Sequence, residues 1–143
     1  MEIDRNGLEV LDREECLRLL QDRRLGRLGI SSRALPTILP VNYWCDGGSI
    51  YVRTSAGSKL NAAMRDAVVA FEVDDFDGME HAGWSVVVTS VAHEVVDPAE
   101  LERLRHAPIA RWAPEWDGHV MAISTELVTG RRLGTMPLLT GQR

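Results

Sequence analysis

Apolar positions along this 143-residue chain fall into a few helical stretches and a larger number of extended ones. Cys16, Leu17, Leu19 and Leu20 repeat at helical spacing. Asp12 followed by Glu15 is a capping-box-like opening for that helix, with Asp in place of Ser or Thr. Leu25, Leu28 and Ile30 begin a strand that stops at Ser31-Ser32. Residues 36–43, PTILPVNY, read as a second extended segment, in which Pro40 marks an edge, a bulge or a bend because it cannot donate to a ladder. Asp46-Gly47-Gly48 is a hairpin signal joining it to a strand over 49–54. Leu60, Ala63, Met64 and Ala67 stand at i, i+3, i+4 and i+7, predicting a short helix packed by that face. A β-branched strand follows over 67–73 and ends in the acidic loop 74–78. Residues 84–96, WSVVVTSVAHEVV, predict a long strand that bends or bulges where Thr89 and Ser90 interrupt the apolar run. Asp97-Pro98 caps a helix over 99–105, and 118–133 closes the fold as one last strand.

These elements predict a mainly β fold with short helices. Most connections are too short for crossovers, so five or six antiparallel strands point to a small β-barrel rather than a parallel sheet. Residues 1–10 carry no clear period and read as an N-terminal arm. Residues 11–133 form the one domain, and 134–143 form a tail with few apolar positions.

Composition narrows the function. The chain has 45% hydrophobic and 26% charged residues, an ordinary balance for a globular protein. With a formal net charge of −5, it offers no basic field for a nucleic-acid backbone. No apolar run approaches the ~20 residues of a membrane span, and the acidic N-terminus is no signal peptide. Cys16 and Cys45 form no CxxC and read as buried free thiols. The expected setting is the reducing cytoplasm. The four histidines have no metal-ligand spacing, so no metal is expected.

Candidate chemistry gathers in 49–77, SIYVRTSAGSKLNAAMRDAVVAFEVDDFD. A strand delivers Arg53 and Thr54 into the turn Ser55-Ala56-Gly57. Ser58 is then the natural N-cap of the next helix, with Lys59 in its first turn. Hydroxyls, two cations and free amides converging at a helix start suit a phosphate. Lys59 also opposes the helix dipole unless an anion is present. An ordinary turn with solvated charges is the other reading of the same residues, and the pattern is not a Walker A loop. Trp112 and Trp116, in RWAPEWDG, read as core plugs, dimer contacts or cleft walls.

Three segments together, YVRTSAGSKLNAAMRDAVVAFEVD, GWSVVVTSVAHEV and TELVTGRRL, resemble the pyridoxamine-5′-phosphate-oxidase-like flavin-binding split barrels over roughly residues 10–133. The resemblance implies a six-stranded antiparallel split barrel, a homodimer, and FMN in two clefts at the dimer interface. It implies that Arg53, Thr54, Ser58 and Lys59 hold the FMN phosphate. Pro40, Val41 and Asn42 would lie along the flavin ring, and Trp84 near its pyrimidine edge. Residues 37–41 lack the basic residues of the oxidase proper, and Arg131 and Arg132 lack its accompanying tryptophan motif. The chain therefore resembles the small actinobacterial-type branch rather than the oxidase itself. The implied function is a flavin oxidoreductase acting on a small molecule. A deazaflavin-dependent reductase of the same fold, or a non-catalytic flavin-binding or sensing protein, are the alternatives.

Overall fold

The computed structural model describes residues 1–109 and 116–134. Ten strands and three helices follow in the order β1 (Glu2–Ile3), β2 (Glu9–Leu11), α1 (Arg13–Gln21), β3 (Leu25–Ser32), β4 (Leu35–Asn42), β5 (Trp44–Asp46), β6 (Ser49–Thr54), α2 (Lys59–Met64), β7 (Val68–Asp77), β8 (Ala82–Glu94), α3 (Pro98–Arg105), β9 (His119–Ser124) and β10 (Val128–Gly134).

Every strand pairing is antiparallel. β4 runs through Tyr43 into β5, and the pairings β5–β6, β6–β9, β9–β8, β8–β7, β7–β3 and β3–β4 close a ring. With β4 and β5 acting as one, six strands make the barrel. β10, β2 and β1 extend the sheet outward from β8, which gives the split-barrel outline expected from the sequence.

Alternation sets what each face buries. Leu28, Ile50, Phe71, Val86, Val88, Met121 and Ile123 fill the barrel. Tyr43 meets Phe71 edge to face, centroids 4.7 Å apart, and its hydroxyl donates to the Leu20 carbonyl at 2.7 Å, tying α1 to the core. A smaller cluster of Tyr51, Val95, Leu104 and Val120 lies under α3. Asp12 caps α1 by accepting from the Glu15 amide, and Asp97 caps α3 from the Ala99 amide. Gly47 and Gly48 both take positive φ in the predicted hairpin, a conformation open to residues without a Cβ.

Four expectations change. The arm read over 1–10 contributes two short strands, with β2 joined to β10. That pairing is specified by a distant strand, so no local period announces it. The acidic residues through Asp77 continue β7 instead of forming a loop, because their partners Ala82–Ser85 on β8 supply the ladder. β8 does not simply bend. It leaves β7 after Val91 and pairs with β9 from Ala92 onward. The single last strand over 118–133 is two, β9 and β10. Thr125 breaks it by giving both its amide and its hydroxyl to the Gly48 carbonyl.

Candidate functional site

β6 and α2 build the turn singled out in the sequence. Ser58 is the N-cap of α2, its Oγ accepting from the Asn61 amide at 3.0 Å. Thr54, 4% exposed, ends β6 with its side chain on the barrel side, and its Oγ1 accepts from Asn61 Nδ2 at 2.9 Å. The turn is less open than its sequence implies. The Ser58 amide bonds the Ser55 carbonyl, and the Ala56 amide donates to Asp117 Oδ2 at 3.0 Å. Among the described residues nothing takes the amides of Lys59 and Leu60, and the Lys59 side chain is exposed.

Arg53 faces another way. Its guanidinium donates to the carbonyls of Leu104, Arg105, Ala107 and Ile109 at 2.8–3.3 Å, with its centre 4.4 Å from the Trp116 ring centroid. A cation there satisfies the orphan carbonyls and negative end of α3. Trp116 is thus a stacking partner for Arg53, and its indole donates to the His119 carbonyl. Trp112 lies outside the described residues.

On β4, alternation points Val41 into the core, 5% exposed, and Pro40 and Asn42 outward. Asn42 Nδ2 is buried yet has no hydrogen-bond partner among the described residues. A buried amide donor without an acceptor is costly. Pro40 and Asn42 share the outward face with Leu25, Ile38 and Val68, which are 54%, 75% and 66% exposed. Arg27, Glu72 and Asp74 lie on that face too. Arg27 Nη1 is 3.5 Å from Glu72 and 3.4 Å from Asp74. Burial, then the neighbouring Asp74 carboxylate, pushes Glu72 up to about 7, against the pull of Arg27.

Trp84, expected near the pyrimidine edge of the ring, is the third residue of β8 and lies on the inward face, and the ten residues from there to Glu94 span roughly 30 Å of strand. Arg23 lies 5.3 Å from its ring centroid and pairs with Asp75 at 3.0 Å. Trp84, Asp75, Asp77, Arg132 and Leu133 line a cleft of about 270 Å³.

Four residues missed by the sequence reading sit beside the turn. Asn61 is 2% exposed. Arg65 Nη2 donates to Asn61 Oδ1 at 2.7 Å and to Glu94 Oε1 at 2.8 Å, and Glu94 Oε2 meets His119 Nδ1. The helical period placed Leu60 and Met64 inward but left Asn61 on the polar side. Its neighbour at i+4, Arg65, was the available signal.

The family profile described as pyridoxamine 5′-phosphate oxidase matches residues 12–132. The uncharacterized protein Rv0080 of Mycobacterium tuberculosis is 40% identical over 128 residues, covering 86% of this chain and 84% of that protein. Among solved structures, the FAD binding protein from Mycobacterium smegmatis is 32% identical, superposes with a TM-score of 0.75, and is matched over 88% of this chain and 98% of its own. The conserved protein of unknown function DIP1874 from Corynebacterium diphtheriae is 29% identical with a TM-score of 0.74, over 90% of this chain and 98% of its own. With an antiparallel split barrel and a match across nearly all of its described length, this chain belongs to the pyridoxamine 5′-phosphate oxidase family.

Proposed function

We propose that the chain binds a phosphate-bearing flavin, FMN in the first place, and serves as a flavin oxidoreductase for a small molecule. Bound flavin would supply hydride or electron transfer, while the protein orients and shields it. The observation that carries this reading is Asn42 Nδ2, a buried donor with no acceptor among the described residues, on the strand that the family resemblance lays along the flavin ring. The unbonded amides of Lys59 and Leu60, the exposed Lys59 ammonium and the Thr54 and Ser58 hydroxyls fit the phosphate tail. Arg53 adds its charge to that end of the barrel from its seat on the α3 carbonyls. FAD is the second candidate, favoured by the FAD-binding description of the M. smegmatis relative. FAD and FMN both present a phosphate next to the ribityl chain.

A homodimer belongs to the same proposal. Leu25, Ile38 and Val68 expose apolar surface around Pro40 and Asn42, and a second copy covering this face would wall the flavin ring. Trp84, set apart within one chain, joins the site in this reading through the second protomer.

Titration of FMN by fluorescence quenching tests the tail assignment. Lys59→Ala is expected to weaken FMN by roughly ten-fold, the equivalent of one hydrogen bond to a charged group, and to leave riboflavin unaffected. Equal losses for both ligands would place the phosphate elsewhere.

A further inference from the structure

We infer that the outward face of β4, β3, β7 and β8 closes on a second copy of the chain with Glu72 protonated, so that forming the dimer takes up one proton per protomer. The inference rests on the homodimer proposed above, and it assigns control of that assembly to a cluster of three charged side chains.

Cross-strand register lays the face out in rows. Pro40, Arg27, Glu72 and Val87 stand side by side on β4, β3, β7 and β8. The row on one side is Ile38, Gly29, Ala70 and Thr89, with Val68 next along β7. On the other side Asn42 stands beside Leu25, and Asp74 beside Ser85, with Phe76 next along β7. Ile38 and Val68 on the first flank, and Leu25 and Phe76 on the second, are all more than half exposed. The charged row lies between them, so a surface that buries both flanks also buries Arg27, Glu72 and Asp74. From Val68 to Phe76 the face is about 27 Å long, and its four strands make it about 19 Å wide. That is roughly 500 Å² for each copy and about 1,000 Å² for a pair, at the lower limit for a specific interface. Exposed apolar side chains gathered on this scale mark a contact surface, and a two-fold pair sets the same patch against itself.

Charge then fixes the protonation state. Arg27 Nη1 lies 3.5 Å from Glu72 Oε1 and 3.4 Å from Asp74 Oδ2, so two carboxylates share one guanidinium. With both ionised, each copy brings one uncompensated negative charge to a contact that excludes water, which is strongly disfavoured. A proton on Glu72 removes that charge. Arg27 is left paired with Asp74, and the Glu72 carboxyl donates to the same Asp74 carboxylate. Glu72 is the group poised to take the proton. Burial first, then its hydrogen bond and charge contact with Asp74, already push it up to about 7, and loss of its remaining 28% exposure strengthens the leading cause. Among the described residues the neighbouring strands bring no further charge to it: β8 offers Val87, Ser85 and Thr89, and β4 offers Pro40. Arg131, two strands from Asp74 on β10, is held by Asp4 at 2.8 Å. His93, past the end of the β7–β8 ladder, is held by Asp66 at 3.2 Å.

The test is sedimentation equilibrium of the full-length protein from pH 6 to pH 8, which gives the dimer dissociation constant at each pH. With two protons held per dimer, and a group that titrates at about 7 in the single chain, that constant is expected to rise about 100-fold across the range. Glu72→Gln keeps the shape and needs no proton, so its dimer is expected to be as tight at pH 8 as at pH 6. Should E72Q fail to fold, as judged by its melting curve, Asp74→Asn serves instead. It leaves Arg27 and Glu72 one to one, and most of the rise is expected to vanish. A wild-type dissociation constant that does not change with pH would overturn the inference and leave the dimer standing. The wild-type rise persisting in either variant would overturn it too, because another group would then carry the proton. Wild-type protein that is monomeric at every pH would overturn the dimer reading, and this inference with it.

Discussion

Removing the charge of Glu72 makes the protein more stable in mild alkali and leaves it unchanged in acid. Glu72 stands two residues from Asp74 on the outward face of β7, and both approach one guanidinium, that of Arg27. Burial is the leading cause of its raised value, followed by the hydrogen bond and charge of Asp74, and together they lift Glu72 from 4.5 to about 7. The folded state therefore holds this proton more tightly than the unfolded chain. Between pH 4.5 and 7 the unfolded chain has released the proton while the folded chain retains it, so stability falls as pH rises through that window. Above pH 7 both states are ionised, below 4.5 both are protonated, and the contribution is flat. At about 1.4 kcal/mol per pH unit the full difference is roughly 3 kcal/mol. Solvent reaches Glu72, whose side chain is 28% exposed, and screening reduces this to about 2 kcal/mol. Glu72→Gln keeps the shape and removes the titration. Urea unfolding of both proteins at pH 4 and pH 8 is expected to give matching stabilities at the lower pH and a gain of about 2 kcal/mol for E72Q at the higher. Parallel pH profiles, or a less stable E72Q at pH 8, would refute the reasoning.

Two further perturbations test the packing and the proposed assembly. A Cβ at Gly26 would lie 2.4 Å from Phe71 Cζ, so Gly26→Ala is expected to destabilise by about 1–3 kcal/mol through overpacking, read as a lower unfolding midpoint. An unchanged midpoint would mean that the Phe71 ring moves aside freely. Ile38→Asp places a charge in the exposed apolar face of β4 and is expected to convert a dimer into a monomer by light scattering, with its melting curve little changed. A wild-type monomer, or a mutant dimer, would remove that face from the interface.

Legibility followed the range of the interactions involved. Caps were readable because Asp12, Ser58 and Asp97 act on amides two or three residues away, and the Gly47-Gly48 hairpin carries its own conformational demand. The barrel followed from the alternation of its strands. The break at Thr125 was not readable, because its partner is the Gly48 carbonyl, 77 residues distant. The same holds for β2 on β10. At the candidate site, the residue types at the turn were visible and their directions were not. Arg53 looked like a phosphate fork, yet the carbonyls that engage it come from the end of α3 and the segment after it. Asn61 lies off the apolar face that the helical period picks out, yet it is buried, with Thr54 on one side and the exposed Arg65 on the other. The outward placement of Pro40 and Asn42 follows from strand period alone, while the unpartnered state of the Asn42 amide emerges only from the packed structure.

The central claim is that this barrel holds a phosphate-bearing flavin, and the most direct measurement is equilibrium titration of the purified protein with FMN, followed by absorption and fluorescence. The account predicts saturable quenching with one FMN per protomer, a perturbed flavin spectrum, and markedly weaker binding of riboflavin. Protein that leaves the spectrum and fluorescence of FMN unchanged at saturating concentrations, and those of FAD as well, would contradict it.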